Sequence, residues 1–225
     1  MTAGPMVRQG FAAELDQLRL QVELMALRVD ANLERMRAFL LSGDLAVARA
    51  AIEADDDIDA MNLSLVERCH DLIAREAPVA SDLRFVVSVI RVLGELERVG
   101  DLALRVVKVG DAWPFVRNAP TSYDILVSMA DTAIDQYRDA LAAWSGQDLA
   151  HAEALARSGR VLDHSNDLLA RRLLELDGPD AVPAALHSLV IGKALDRIAD
   201  HAAILGCRLR YLLTGDPQHL AAEIR

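Results

Sequence analysis

Aromatic residues are scarce in this chain. Two Trp, three Tyr and four Phe make 4% of 225 residues. Strand-forming clusters and turn clusters are equally sparse, which argues against a β-sandwich or barrel. Only two cysteines are present, Cys69 and Cys207, far apart in sequence. They exclude a disulfide framework and a Cys-x-x-Cys metal or redox motif, and predict reduced thiols in a cytoplasmic protein. There is no glycine-rich phosphate loop and no Walker motif, which removes several nucleotide-dependent enzyme classes. No apolar run is long enough to span a bilayer. The stretch from Phe85 to Leu96 is short and charged, and Arg8, Glu14 and Asp16 interrupt the N-terminus. Basic excess is missing too. The net charge of −10 speaks against nucleic acid as a partner and suits a protein that holds cations or meets a basic patch.

What is present is Ala, Leu and Val in long, helically spaced runs, and one phrase written twice. Leu96-Glu97-Arg98-Val99-Gly100-Asp101 returns ninety-nine residues later as Leu195-Asp196-Arg197-Ile198-Ala199-Asp200. On a helix, residues four apart share a face, so each phrase sets two carboxylates side by side. Like charges at that spacing weaken an isolated helix by a few tenths of a kcal/mol. Either phrase alone reads as a solvated acid face. The repetition, arginine and small residue included, favours a shared role with a cation between the carboxylates.

The rest of the chain repeats as well. Phe11, Leu15, Leu18, Val22, Met25, Val29, Leu33, Met36 and Leu40 alternate steps of three and four, the seam of a bundle helix. Ser42-Gly43-Asp44 ends it, with Gly43 as a left-handed terminator and Asp44 as the next N-cap. A second helix is expected to run to about Glu76. A third, capped by Ser81 or Asp82 after Pro78, is expected to run to about Asp111. Trp113 to Pro120 reads as an extended junction. A fourth helix follows, capped by Thr121-Ser122 and ending at Trp144, and Ser145-Gly146-Gln147-Asp148 then repeats the first turn. Asp59, Asn62, Leu65 and Arg68 recur as Asp163, Asn166, Leu169 and Arg172 in a fifth helix. A sixth, starting between Asp180 and Pro183, ends at Gly215. The expected fold is all-α: two tandem three-helix bundles, over residues 1–115 and 116–215, with a loose tail at 216–225.

The acids have candidate partners. Asp55 and Asp59 form another i, i+4 pair on the second helix, and antiparallel packing turns it toward Glu97 and Asp101 on the third. Four carboxylates around a hard di- or trivalent cation make an oxygen-rich site suited to Mg²⁺, Mn²⁺ or iron. In the second half Gly159 stands where Asp55 would be. Asp163 therefore joins Asp196 and Asp200 alone, with Asp167 and His201 as candidate additions and weaker binding expected. Glu67 to His70 has the ExxH spacing of carboxylate-bridged di-iron bundles but lacks its second copy. No catalytic constellation is apparent. A carboxylate-bridged metalloenzyme or metal store stays the alternative reading.

The phrases LERVGDLA and LDRIADHA, the run from Pro78 to Arg84 and the acidic stretch from Asp55 to Asp59 resemble the PhoU family, and the likeness extends along nearly the whole chain. That resemblance implies two three-helix bundles bearing paired E(D)xxxD motifs that can hold metal clusters, here iron, Mn, Mg or Zn. The metal positions it implies are Asp55, Asp59, Glu97 and Asp101, then Asp163, Asp196 and Asp200. It further implies a cytoplasmic, homodimeric, non-enzymatic regulator of phosphate uptake. Such a regulator works with the transporter ATPase subunit and a phosphate-sensing histidine kinase, and restrains phosphate-starvation genes without inserting in the membrane. Two departures stand out. Arg105 and Ile204 replace the family's usual Asn, and Lys108 and Cys207 its usual Glu, which partly neutralises the first site.

Overall fold

A computed structural model describes residues 5–219, which form eight α-helices and two single 3₁₀ turns and contain no strand. The helices are α1 (Pro5–Ser42), α2 (Leu45–Glu76), α3 (Ala80–Val107), α4 (Trp113–Arg117), α5 (Pro120–Gly146), α6 (Leu149–Arg157), α7 (Asp163–Leu174) and α8 (Ala181–Thr214). The expected tail beyond 219 lies outside the described residues. Helices α1, α2 and α3 form one bundle; α5, α8 and the α6–α7 pair form the other.

The twin turns form as their residues dictate. Gly43 takes φ +68° to end α1, and Asp44 Oδ1 accepts from Ala46 N at 2.8 Å to cap α2. In the second half Asp148 Oδ1 caps α6 by accepting from His151 N at 3.1 Å. Gly215, at φ +75°, closes α8.

Three expectations need correction. The fifth helix is two helices, because 158–162 leave the helical path. Ser158 Oγ donates to Leu155 O at 2.8 Å, while Gln136 Nε2 donates to Ser158 Oγ at 2.8 Å. Side-chain bonding of that kind competes with the helix ladder, and Gly159 adds its low propensity. Second, the junction at Trp113 is itself a short helix with Pro114 in its first turn, where no backbone N–H is needed. Third, α3 starts at Ala80 without a side-chain cap and stops at Val107, and α5 starts at Pro120. Asp82 still sits in the first turn of α3, where its charge complements the helix dipole.

The two bundles share one core. The long third helices of the repeats, α3 and α8, pack along each other, and α1 lies against α5. The contiguous buried cluster runs from Leu18 and Phe39 through Val86, Leu93 and Val99 to Leu126, Ile191, Leu195 and Leu205. Polar ties cross the same seam. The Tyr137 hydroxyl donates to Ala26 O at 2.9 Å, while Trp113 Nε1 and the Tyr123 hydroxyl both donate to Leu40 O at the end of α1. That carbonyl lacks an in-helix partner, so the two aromatics satisfy an otherwise orphaned group. On the surface Arg138 clamps Asp30 and Glu34 of α1, at 2.8 and 2.6 Å.

Gly206 lets α6 come close to α8. A Cβ there would stand 2.8 Å from Leu155 Cβ and 2.9 Å from the Ala152 carbonyl oxygen. Backbone cannot rotate aside as a side chain can. Gly206→Ala is expected to destabilise the fold by about 1–3 kcal/mol, as overpacking does, read as a lower urea midpoint at unchanged slope.

Candidate metal centre

The antiparallel packing of α2 on α3 brings the four first-half acids to one groove. Asp55 is buried, Glu97 half-buried, and Asp59 and Asp101 exposed at the rim. They feel one another. Burial, Asp59 and Asp101 together push the Asp55 pKa up to about 6, with Lys108 pulling weakly the other way. Burial and Asp101 also raise Asp59. Glu97 is raised by burial, Asp101 and Asp59, against the pull of Arg98. Lys108 is thus a real neighbour of the site, as its position in the phrase suggests.

Asp55 is the unusual member. It is 4% exposed, and its Oδ1 has no hydrogen-bond partner among the described residues. Gly100 makes the room: a Cβ at that position would stand 2.8 Å from Oδ1. The second repeat has Ala199 at the place of Gly100 and Gly159 at the place of Asp55, so acid and cradle are lost together. At about the same level of the bundle, the fully buried Asn32 of α1 also has both amide atoms without partners among the described residues. Its level follows from the α1–α2 register set by Arg28–Asp57 and Arg68–Gln21. A partnerless carboxylate oxygen amid like charges is what a hard cation relieves, so the donor set fits one chemically. Among the described residues, however, no three His, Cys, Asp or Glu side chains are close enough as placed to ligate a single ion. The acids neighbour one another without closing into a cage, and binding would require them to turn inward.

The second-half acids are arranged otherwise. Burial and the charges of Asp196 and Asp163 raise Asp200, so these acids, at the start of α7 and the middle of α8, lie within electrostatic reach of Asp200. But Asp196 pairs with Lys193 and Asp200 with Arg197, each at 3.4 Å. Cations of the same helix already offset their charge. Asp167 stays exposed on α7.

His201 does not join them. It is 5% exposed, and its Nδ1 lies 2.8 Å from Glu95 Oε2, while Arg208 donates to Glu95 Oε1 at 2.9 Å. This buried triad ties α8 to α3. Burial raises the Glu95 pKa, yet hydrogen bonds from His201 and Arg208, with their charge, more than reverse it and leave it below the ordinary carboxylate value. Sequence reasoning missed Glu95 and Arg208. The available signal was their placement: His201 and Arg208 stand seven apart on the apolar face of α8, where a surface charge does not belong.

Comparison with known proteins assigns the frame. The PhoU domain model matches twice, over residues 22–109 and 126–208. The chain belongs to the PhoU family. The phosphate-specific transport system accessory protein PhoU of Edwardsiella tarda is 27% identical over 216 residues, 95% of this chain and 88% of that one. The crystal structure of PhoU from Pseudomonas aeruginosa superposes with TM-score 0.85 at 27% identity, covering 92% of this chain and 100% of that one. The phosphate transport system regulatory protein PhoU from Streptococcus pneumoniae gives 0.81 at 25% identity, covering 92% and 98%. The first match runs from α1 to just past the end of α3, and the second from α5 through α6 and α7 into α8. Asp55 and Gly100 lie inside the first match, and Glu95 with His201 and Arg208 joins the two PhoU repeats to each other. No helix of the described residues is long and apolar enough to cross a membrane.

Proposed function

We propose that this chain is a non-enzymatic accessory protein of a phosphate transport system that limits phosphate uptake and restrains phosphate-starvation gene expression. In this reading it acts in the cytoplasm as a self-associating adaptor, meeting the transporter ATPase subunit and a phosphate-sensing histidine kinase. A hard di- or trivalent ion held by Asp55, Asp59, Glu97 and Asp101 gives the docking face its shape and charge. A weaker site forms at Asp163, Asp196 and Asp200. The single observation that supports the metal is Asp55: a buried carboxylate oxygen without a hydrogen-bond partner, seated over Gly100 and pressed by two other acids. The accessory role is supported by the relatives, which are phosphate transport accessory and regulatory proteins, and by matches along both repeats.

Deleting the gene is expected to leave a phosphate-starvation reporter on in high phosphate, and re-expression to silence it. A reporter that stays off in the deletion strain counts against the regulatory role. Complementation with Asp101→Ala separates metal from docking: if that variant binds no Mn²⁺ yet silences the reporter fully, the adaptor works without metal.

A further inference from the structure

The second repeat holds a cleft that the acid groove does not use. It opens between α5 and α6, beside the break at 158–162, with a volume of about 340 Å³. Asp135 and Asp139, one turn apart on α5, stand exposed on one wall, and His151 of α6 lines the other. Leu155 and Val161 add apolar surface, and Gln136, only 6% exposed, lines the floor.

Gln136 is the incomplete member. Its Nε2 donates to Ser158 Oγ at 2.8 Å and to Ser158 O at 3.4 Å. A carbonyl can only accept, so the amide is fixed with its nitrogen toward Ser158. Oε1 is left over, buried and without a partner among the described residues. The two acids are equally uncommitted: among the described residues neither has an ion pair, and no Lys or Arg lines the cleft. Arg138, between them in sequence, is turned away to Asp30 and Glu34. Like charges one turn apart repel, so the empty wall is destabilising.

The first repeat has no counterpart. One hundred and four positions back, the offset that sets Asp148 on Asp44 and Asp163 on Asp59, Asp135 becomes Ala31, Asp139 becomes Arg35 and His151 becomes Val47. The acids of this cleft are therefore not a demand of the bundle. None of the seven acids assigned to metal lies on α5 or α6 either.

We propose that the cleft binds a guanidinium group, its N–H donors shared between the Asp135 and Asp139 carboxylates and Gln136 Oε1. Every unmet group here is an acceptor, and a guanidinium brings five donors and no acceptor. It is also more weakly hydrated than an ammonium, which suits a floor edged by Leu155 and Val161. A single metal ion fits less well, because no three His, Cys, Asp or Glu side chains of the described residues are placed to hold one. The volume, at the small end for ligand cavities, admits a group of arginine size. A free arginine would bring its own carboxylate toward the acids, so the group comes from a decarboxylated small cation or from an arginine within a peptide.

The test titrates the full, metal-free chain, labelled with ¹⁵N, with N-acetyl-arginine amide. Backbone signals of 132–139 and 151–161 are expected to shift saturably, half-maximally at about a millimolar or below. N-acetyl-lysine amide should bind several-fold more weakly. Asp135→Asn and Asp139→Asn, isosteric changes at exposed positions, should each weaken binding several-fold and together abolish it, with the circular dichroism of the parent. Gln136→Met, which keeps the length and removes the acceptor, should weaken it by a similar factor. Agmatine and a Gly-Gly-Arg-Gly-Gly amide identify the source. Tighter binding of agmatine assigns a free small cation, tighter binding of the peptide assigns a partner's arginine, and either supports the site. Shifts scattered over the whole acidic surface, equal binding of the lysine analogue, or unchanged binding by the double Asn variant overturn the proposal. So does the absence of saturable shifts at about 20 mM ligand.

Discussion

Replacing Glu95 by alanine is expected to destabilise the protein by about 3–5 kcal/mol, because one partner of a buried charge group is removed and the others are left behind. Glu95, His201 and Arg208 are each about 5% exposed, so water cannot take the place of the lost carboxylate. With Glu95 ionised, the His201 Nδ1–H and an Arg208 guanidinium N–H both donate to it, and both donors stay buried in the variant. The position magnifies the effect, since α3 and α8 are the helices through which the two bundles share their core. Urea unfolding at pH 7 should show a lower midpoint at unchanged slope. A second variant controls for mere burial of bulk. Changing all three residues to apolar ones of similar size is expected to recover most of the loss, as for other buried ion groups. The pH dependence follows from the depressed Glu95 pKa. Above the ordinary glutamate value the stabilisation is fully present, and it is lost as pH falls through the lower, folded value. If Glu95→Ala unfolds within about 1 kcal/mol of the parent, the triad is incidental.

The triad also marks where reading the chain stopped short. Helix periods, the caps at Asp44 and Asp148 and the terminators Gly43 and Gly215 are local, and each was legible from a few adjacent residues. The repeat was legible because both copies kept their acids. The break at Ser158–Leu162 was not, because it depends on Gln136, twenty-two residues upstream, reaching back to Ser158. Glu95 was read past because a lone charge in a helical run resembles any solvated residue until the opposite helix is known. The i, i+4 spacing did reveal the carboxylate pairs. It could not reveal that Asp55 alone among them sinks below the surface, because that requires Gly100 on a different helix to leave the space.

The burial of Asp55 sets up the second large effect, and its sign is opposite to that of Glu95. An Asp with a pKa near 3.9 when unfolded and about 6 when folded keeps its proton longer in the native state. Between those values the folded protein binds more protons than the unfolded one, so in the metal-free protein this group makes stability fall as pH rises from about 4 to about 6. Above that range the penalty is constant, and two units correspond to roughly 3 kcal/mol. Asp55→Asn removes the charge at nearly constant shape and is expected to stabilise the metal-free protein at pH 8 by roughly 1–3 kcal/mol, the amide's own unmet hydrogen bonds reducing the gain. The same change should abolish the stabilisation that added Mn²⁺ gives the parent, which at a hundred times the dissociation constant amounts to about 2.7 kcal/mol. In the parent, that metal-linked stabilisation should itself fade below pH 6, as protons compete for Asp55. Thermal melts of both proteins, with and without metal at pH 5 and 8, read all of these terms at once. A variant no more stable than the parent without metal removes the burial penalty, and a variant that keeps the metal shift removes Asp55 from the ligand set. If both effects appear, the protein tolerates an unstable residue at the centre of its acid groove because a cation offsets it. In that case the first repeat carries the tighter site, and the second, with Gly159 and Ala199 in place of Asp55 and Gly100, the weaker one.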